Sequence, residues 1–586
     1  MSDITGAQLV ARTLKDLEVD VVFGIVGIPV IEVAQACINS GVRFIGFRNE
    51  QSAAYAAAAY GYLSKRPGVC LVVGGPGVIH AMAGTHHAEA NAWPLMLMAG
   101  SSESYQQGMG AFQELDQVGL LKPHVKFAAR APSLHQLPGT LEKAYRTAFS
   151  GRPGPTYVDL PADHIQGKVE QHESPRVAPR AKHSQSVAPE REVAHALALL
   201  RSAQRPLLVI GKGAQYARAE DPLRRLLEMM PIPFLPTPMG KGLISDKHPM
   251  CISAARSTAL READVVLIVG ARLNWILHYG QSPKWNKDVK LIRLDINAES
   301  IDDNKSAEVA LVGDASAIID QLCYALGSEH GVTDPFAKMS DSQASWYKKL
   351  LSTCHDNSQK LIEKAMVFPR PAKGNVGQVA LPLTYHQSFN IIRKNIPADH
   401  VFIGEGANTM DIARSMFDVV LPRSRLDAGT QATMGVGMGY CIAAAIYEQK
   451  RPERRPIVAV VGDSAFGFSG FEIETAVRNK LGMLIVVMNN GGVYKGLPVK
   501  AYNDIPVEKL PPTALLPELR YDQLCISLGG LGHCVRTIDE LEKAVQDGID
   551  KQNEGRVTLI NVLMDSGSKK KLEFGWLAST KPKSKL

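Results

Sequence analysis

Two residues in the last third of the chain are of the types and spacing that can hold a divalent metal against a diphosphate. Asp463, in Gly462-Asp463-Ser464, offers a carboxylate, and Asn490, in Asn489-Asn490, offers an amide oxygen. Both are hard oxygen ligands of the kind Mg²⁺ takes beside phosphates. Far upstream, Glu50 stands where a strand-like run, Val42–Arg48, gives way to the alanine-rich run Ser52–Ser64. A carboxylate at that place serves either the dipole of the helix it precedes or a ligand brought against it. Val73-Gly-Gly-Pro-Gly77 follows another strand-like run, Val69–Val73. A turn without side chains lets backbone approach a ligand closely.

The elements that must position these groups can be read around them. Ile457–Val461 leads into Gly462 and Leu484–Met488 into Asn489, each with the length and β-branching of a buried strand. Between them Gly470–Lys480 has the periodicity of one amphipathic helix, which Gly482 is placed to stop. A strand–helix–strand unit makes its strands parallel and puts ligands at their carboxyl ends. The same alternation recurs along the chain and predicts an α/β fold of three domains, each a central parallel sheet flanked by helices. The domains expected are 1–166, 192–327 and 382–565, followed by a tail, 566–586. Two linkers separate them: 167–191, with Pro175, Pro179 and Pro189, and 328–381, with Pro369-Arg-Pro371 and Gly374-Asn-Val-Gly377. Within the second, Ser342–Ala365 has helical periodicity. The central domain offers strands at Leu207–Ile210, Val265–Val269 and Leu291–Ile296, with Gly211-Lys-Gly213 and Gly270-Ala-Arg272 at strand exits. No G-x-G-x-x-G opens a helix there, so the standard NAD fingerprint is absent.

Composition narrows the class. The chain has 586 residues, 45% hydrophobic and 21% charged, which is room for three packed domains. The net charge of +7 is modest, and part of it gathers in the tail at Lys569, Lys570, Lys571, Lys581, Lys583 and Lys585. No basic stripe with interleaved aromatics is present, so no nucleic-acid partner is expected. Eight cysteines without a CxxC pair or Cys/His metal spacing read as reduced thiols of a protein that is not secreted. The amino end lacks a signal segment, and no apolar run approaches the roughly 20 residues that span a bilayer. A soluble intracellular protein is expected. Ser584-Lys585-Leu586 reads as the peroxisomal address taken by an import receptor.

Residues Gly462 to Asn490 resemble the thiamine diphosphate signature, a GDG run answered downstream by NN, here with residues 465–488 between Ser464 and Asn489. Ser464 departs from the usual third glycine. Gly462-Asp-Ser-Ala-Phe-Gly-Phe-Ser-Gly470 is the form found in the branch that acts on CoA thioesters. The resemblance runs through almost the whole chain and is to the 2-hydroxyacyl-CoA lyase/oxalyl-CoA decarboxylase branch. It is carried by Gly151-Arg-Pro-Gly154, Tyr157-Val-Asp-Leu-Pro-Ala162, Pro233-Phe-Leu-Pro-Thr-Pro-Met-Gly-Lys-Gly242, Gly270-Ala-Arg-Leu-Asn-Trp275, Glu405-Gly-Ala-Asn408 and Thr433-Met-Gly-Val-Gly437.

This resemblance implies thiamine diphosphate and Mg²⁺ as cofactors. It implies Asp463, Asn490 and the Gly492 carbonyl as metal ligands. Gly462, Asp463, Ser464, Ala465 and Asn490 would take the diphosphate side, with Asn408 and Tyr494 close by. Gly75, Pro76 and Gly77 would pass the rings, and Met434 would hold the cofactor bent. Glu50 would bond N1′ of the aminopyrimidine, favouring the imino tautomer whose N4′ removes the thiazolium C2 proton. Arg152, Lys212, Arg272 and Asp295 would line an ADP-like nucleotide site in the central domain.

The branch implies an acyl-CoA substrate and two outcomes of one chemistry. The lyase gives formyl-CoA and an aldehyde one carbon shorter, in peroxisomal fatty acid alpha-oxidation. The decarboxylase gives formyl-CoA and CO₂ from oxalyl-CoA. Gly110-Ala-Phe-Gln-Glu114 matches the lyases and adds Gln113 and Glu114 to Glu50 as catalytic candidates. Glutamine can orient a hydroxyl but is no strong base, whereas glutamate can be one. Gln431-Ala432 departs from the aromatic and small residue usual in the branch. The lyase is the leading expectation and the decarboxylase the alternative. A non-catalytic, nucleotide- or partner-holding protein is disfavoured, because Glu50, Asp463 and Asn490 are all present. The resemblance also implies a homodimer or homotetramer. Asn489–Ile505 is expected to cover the metal site, with Tyr494 either facing substrate or packed.

Overall fold

The apolar runs become three parallel sheets whose strands alternate their side chains between two buried faces. The computed structural model describes residues 3–170, 172, 175–178, 184–327, 339–366 and 382–567. The first large sheet holds β2 (Val21–Gly24), β3 (Arg43–Gly46), β4 (Gly68–Val72), β5 (Leu95–Ser101), β6 (Ala128–Arg130) and β7 (Pro155–Pro161). Its spatial order is β3-β2-β4-β5-β7-β6. A short antiparallel pair, β1 (Asp3–Thr5) with β8 (Lys168–Glu170), ties down the start of this part.

The central sheet holds β9 (Pro206–Ile210), β10 (Phe234–Pro236), β11 (Val265–Val269), β12 (Lys290–Asp295) and β13 (Val309–Val312) in the order β10-β9-β11-β12-β13. The third holds β14 (Val401–Glu405), β15 (Arg425–Asp427), β16 (Ile457–Gly462), β17 (Met483–Asn489), β18 (Leu531–Val535) and β19 (Val557–Leu563). Its order, β15-β14-β16-β17-β19-β18, repeats the topology of the first sheet strand for strand. All ladders within these three sheets are parallel, from Val22–Val69 in the first to Val461–Val487 in the third. In both outer sheets the connections reverse direction beside the first strand, between β2 and β4 and between β14 and β16. Such reversals open the crevices where α/β sheets take ligands.

The outer sheets share one core. Phe23, Cys70 and Val72 on one face of the first sheet join Ala459, Val461 and Ile485 of the third in a single buried cluster, and the alternate residues Val22, Val69 and Leu71 face a separate one. Small residues make the junction. The helix Glu50–Ser64 is buried from Ala53 to Ala59. A Cβ on Gly439, in the helix Gly437–Glu448, would lie 2.7 Å from the Ser52 carbonyl oxygen, so that approach requires glycine.

Several boundaries differ from the sequence reading. The alanine-rich helix starts at Glu50, two residues earlier than expected, because the Asn49 side chain accepts from the Gln51 N–H at 2.8 Å and caps it. The single helix expected over Gly470–Lys480 is shorter, Glu472–Arg478, and a separate turn, Asp463–Phe466, precedes it. Within 328–381, Asp341–Met366 is a helix whose Trp346, Tyr347 and Leu350 enter the core of the central sheet. Pro179, Pro369–Pro371, Gly374–Gly377, the tail lysines and Ser584-Lys585-Leu586 lie outside the described residues. All eight cysteines are free. No helix among the described residues is long and apolar enough to cross a membrane.

Candidate functional site

The crevice between β14 and β16 brings Gly406 and Gly462 together. A Cβ on Gly406 would lie 3.2 Å from the Gly462 nitrogen, whereas one on Gly462 would meet nothing nearer than Thr409 Oγ1 at 3.6 Å. Protein packing therefore leaves space over Gly462. Asp463 follows it and is 2% exposed. Its Oδ2 accepts the N–H groups of Gly491 and Gly492 at 2.8 and 3.2 Å, tying the end of β16 to the loop after β17. Burial pushes this carboxyl up to about 6, against the pull of its backbone hydrogen bonds.

Asn490 donates its Nδ2–H to the Tyr494 carbonyl at 3.2 Å, which leaves the amide oxygen as the atom it can offer to a cation. Asn408 donates to the same carbonyl at 2.9 Å, so Asn408, Asn490 and Tyr494 meet at one oxygen. The loop coils tightly: a Cβ on Gly492 would lie 2.3 Å from the Lys495 carbonyl oxygen. A cavity of about 750 Å³ opens beside it, lined by Thr384, Asn490, Gly491, Pro498, Glu518 and Asp565.

At the reversal between β2 and β4, Gly75 adopts φ +50° and donates its N–H to Gln117 Oε1 at 2.7 Å. A Cβ on Gly75 would lie 2.8 Å from the Gln113 carbonyl oxygen, which places Gln113 directly on the glycine turn. The helix Pro76–Asn91 starts there, with proline and Gly77 at its first positions. One turn on, His80 Nδ1 lies 3.1 Å from Glu50 Oε2, the carboxylate being 14% exposed and the imidazole 59%.

Glu114, offered by the sequence as a candidate base, is engaged by its own loop. Its carboxylate accepts the N–H groups of Gly108, Gly110 and Ala111, the last two at 2.8 and 3.0 Å. These bonds hold it below the ordinary carboxylate range. It closes its own loop.

Two buried carboxylates brace the segments around both crevices. Glu405 accepts from Gly435, Val436 and Gly437 and so fixes the loop that carries Met434. Glu472 accepts from the N–H of Arg48 at 3.2 Å, two residues before Glu50. Burial pushes each up to about 7.

In the central part, Arg152, Lys212, Arg272 and Asp295 line one cavity of about 280 Å³ together with Trp93 and Thr430. Burial first, then Arg272 and Arg152, holds Lys212 well below its usual value. Its Nζ donates to Asn91 Oδ1 at 2.5 Å. Burial, then Arg152, pushes Arg272 down to about 10. Four cationic side chains, Lys65, Arg152, Lys212 and Arg272, and three carboxylates, Asp295, Asp314 and Asp427, line this space.

Sequence reasoning did not single out His80, Gln117 or Glu472. Helical spacing from Pro76 was a usable signal for His80, since residue 80 lies one turn past the helix start. Glu472 offered none, because the Arg48 N–H it accepts from is 424 positions away in the chain.

Comparison with known proteins agrees along the length of the chain. Models of thiamine pyrophosphate enzymes match in three parts: the N-terminal TPP binding domain at 4–120, the central domain at 193–322 and the C-terminal TPP binding domain at 404–562. The chain is 42% identical over 584 residues to 2-hydroxyacyl-CoA lyase 1 of Mus musculus, covering 98% of this chain and 96% of that protein. It is 42% identical over 574 residues to 2-hydroxyacyl-CoA lyase of Arabidopsis thaliana, covering 96% of each. It is 38% identical over 587 residues to oxalyl-CoA decarboxylase of Escherichia coli K12, covering 99% of this chain and 98% of that protein.

Proposed function

Because the chain belongs to the thiamine pyrophosphate enzymes, in the group of 2-hydroxyacyl-CoA lyases and oxalyl-CoA decarboxylase, we propose that it cleaves 2-hydroxyacyl-CoA to formyl-CoA and a one-carbon-shorter aldehyde. The observation that supports the choice of lyase is that the Gln113 backbone carbonyl rests on the glycine turn, a seat from which the side-chain amide would orient a 2-hydroxyl.

The residues fit the cofactor and a metal. Gly462 keeps open a space that its protein neighbours do not fill. Asp463 is a buried carboxylate at the end of β16, a hard oxygen donor of the kind Mg²⁺ takes. On this reading Asp463, Asn490 and the Gly492 carbonyl hold Mg²⁺, and Gly462, Ser464 and Ala465 line the diphosphate. Thiamine diphosphate, when bound, supplies an electron sink for the carbon–carbon bond beside the thioester. Glu50 holds a proton at N1′ of the pyrimidine, and His80 steadies that carboxylate. Gly75, Pro76 and Gly77 keep side chains away from the rings. Met434, on the loop fixed by Glu405, would pack against the cofactor. Glu114 shapes the loop that presents Gln113.

The central cavity is read as a site for a nucleotide such as ADP, or the nucleotide part of CoA, with Arg152, Lys212 and Arg272 toward phosphates and Asp295 toward a ribose hydroxyl. Met434, Phe468 and Phe471 are 38%, 54% and 61% exposed near the diphosphate crevice. Exposed apolar groups of this size support burial by a second copy, so a homodimer is the smallest unit proposed. Ser584-Lys585-Leu586 supports a peroxisomal location and a role in fatty acid alpha-oxidation. Deleting Leu586 from a tagged protein should leave it outside peroxisomes; unchanged import would reject the address.

Offering the purified enzyme 2-hydroxyacyl-CoA thioesters of several lengths, with oxalyl-CoA beside them, tests the reaction. Formyl-CoA and aldehyde in equal amounts are expected. Release of CO₂ from oxalyl-CoA with no aldehyde from any hydroxy thioester would overturn the lyase.

A further inference from the structure

Away from both crevices, three metal-ligating side chains converge at the surface. His86 and Glu89 lie on the helix Pro76–Asn91, three residues apart and so on one face of it. His124 ends the short turn Lys122–His124 and reaches the same point from another element. His86 Nδ1 lies 3.2 Å from Glu89 Oε2, and His124 Nδ1 lies 4.0 Å from that same oxygen. All three ligand atoms fall within 4.8 Å of one another. The two imidazole rings are 6.0 Å apart and inclined at 87°, so they approach the carboxylate from different directions instead of stacking.

These separations suit a small tetrahedral ion. Bonds of about 2.0–2.1 Å put neighbouring ligands of tetrahedral zinc about 3.3 Å apart. The His86–Glu89 edge already has that length, and the His124–Glu89 edge would close to it by a shift of less than about an ångström at the ring tip. The far side of His86 is also provided for. Its Nε2 lies 3.3 Å from the side-chain amide nitrogen of Gln431, on the loop between β15 and the helix Gly437–Glu448. Exchange of the amide oxygen and nitrogen by a flip of the Gln431 side chain would let it accept the Nε2–H and leave the Nδ1 lone pair for a metal. Metal-bound histidines are oriented in this way by an outer hydrogen bond. Glu89 Oε2 is approached by the Nδ1 atoms of both imidazoles, so one carboxylate oxygen and two ring nitrogens face a common point.

We propose that His86, Glu89 and His124 form a site for a divalent transition-metal ion of the Zn²⁺ class, with water in the fourth position and Gln431 as the outer partner of His86. Two imidazoles and one carboxylate are a known zinc ligand set. The same set is unattractive to Mg²⁺, which takes oxygen ligands in octahedral array, so the site does not compete with Asp463 and Asn490 for their ion. An ion bound here ties three pieces of chain together. These are the helix that carries His80, the segment that follows the Gln113 loop, and the Gln431 loop of the carboxyl-terminal sheet.

The test uses the full-length protein with thiamine diphosphate and Mg²⁺ present, titrated with ZnCl₂ by calorimetry and with CoCl₂ by visible spectroscopy. Expected are one Zn²⁺ per chain, a rise in Tm with added Zn²⁺, and the intense absorption of four-coordinate Co²⁺. His86→Ala and His124→Ala should each weaken binding by well over tenfold, while their metal-free Tm stays at the wild-type value. Gln431→Ala should weaken it about tenfold, as loss of an outer partner does. Equal Zn²⁺ binding by wild type and both histidine variants would overturn the site. So would the weak absorption of six-coordinate Co²⁺ in the wild-type protein, which reads the site without any substitution.

Discussion

Glu50 Oε2 lies 3.1 Å from Nδ1 of His80, joining the first residue of one helix to the second turn of the next. Neither helix alone would hold the carboxylate in one place. Glu50 caps nothing, since Asn49 performs that task for its helix. Its carboxylate turns instead toward the helix that opens at the Gly75 turn. His80 supplies the contact that fixes its direction.

Glu50→Gln should reduce turnover by about 10²–10⁴-fold, the usual worth of a positioned proton-transfer group. Thiamine diphosphate should still bind within a few-fold of its wild-type affinity, because the substitution keeps shape and alters one proton. Single-turnover assays beside cofactor titration would check this. Full activity in the variant would remove Glu50 from the reaction. His80→Ala should lower kcat by about tenfold and leave KM nearly unchanged, as expected of a group that only orients the catalytic one.

Asp463→Ala should be costly in two separable ways. The N–H groups of Gly491 and Gly492 lose their acceptor, and each unpaired buried donor costs about 1–3 kcal/mol of stability. Loss of the carboxylate should also remove metal-dependent cofactor binding. Wild-type enzyme dialysed against a chelator should lose activity and regain it with Mg²⁺, whereas the variant should not respond. Recovery of the variant by Mg²⁺ at ordinary concentrations would reject Asp463 as a ligand.

Glu472→Gln should change how stability depends on pH. Burial raises the Glu472 carboxyl from an ordinary 4.5 to about 7. Between those values the unfolded chain has lost its proton and the folded chain keeps it. Folding stability therefore falls as pH rises through that window, by on the order of 3 kcal/mol, and levels off above it. Glutamine cannot ionise and can still accept from the Arg48 N–H. The Tm of the variant minus that of the wild type should grow from about pH 5 to about pH 7 and then stay constant. A difference that does not change with pH would show that Glu472 is ionised throughout.

The three sheets were legible because Ile457–Val461, Leu484–Met488 and Val265–Val269 are long β-branched runs whose burial on both faces leaves little else for them to become. The placing of Asp463, Asn490 and Glu50 at strand exits was legible because each comes two residues after a strand-like run. What the sequence hid depends on contacts between distant segments. Glu472 meets Arg48, Glu405 meets Gly435, and His86 meets Gln431, and no local pattern announces those pairs. Helix ends were misjudged for a related reason. Asn49 and Gly470 have turn chemistry that periodicity does not weigh, so the helix at Glu50 began early and the one after Gly470 began late.

Gln113 and Glu114 are adjacent yet should fail differently when altered. Gln113 rests its carbonyl on the Gly75 turn at φ +55°, a conformation that fixes where its amide starts from. Gln113→Ala removes only the amide. It should lower kcat for 2-hydroxyacyl-CoA by about 10–100-fold, the loss of one or two hydrogen bonds to a reacting hydroxyl. Binding of the CoA portion should be untouched, so KM stays within a few-fold. Glu114→Gln keeps the side chain's length but puts an NH₂ among the N–H groups of Gly108, Gly110 and Ala111. The loop should loosen, with faster proteolysis between Tyr105 and Glu114 and a higher KM, while the pH profile of kcat keeps its wild-type shape. A general base behaves otherwise: its loss removes the acidic limb of that profile. Loss of that limb in Glu114→Gln, with the loop still resistant to protease, would restore Glu114 as the base and leave Gln113 as its neighbour.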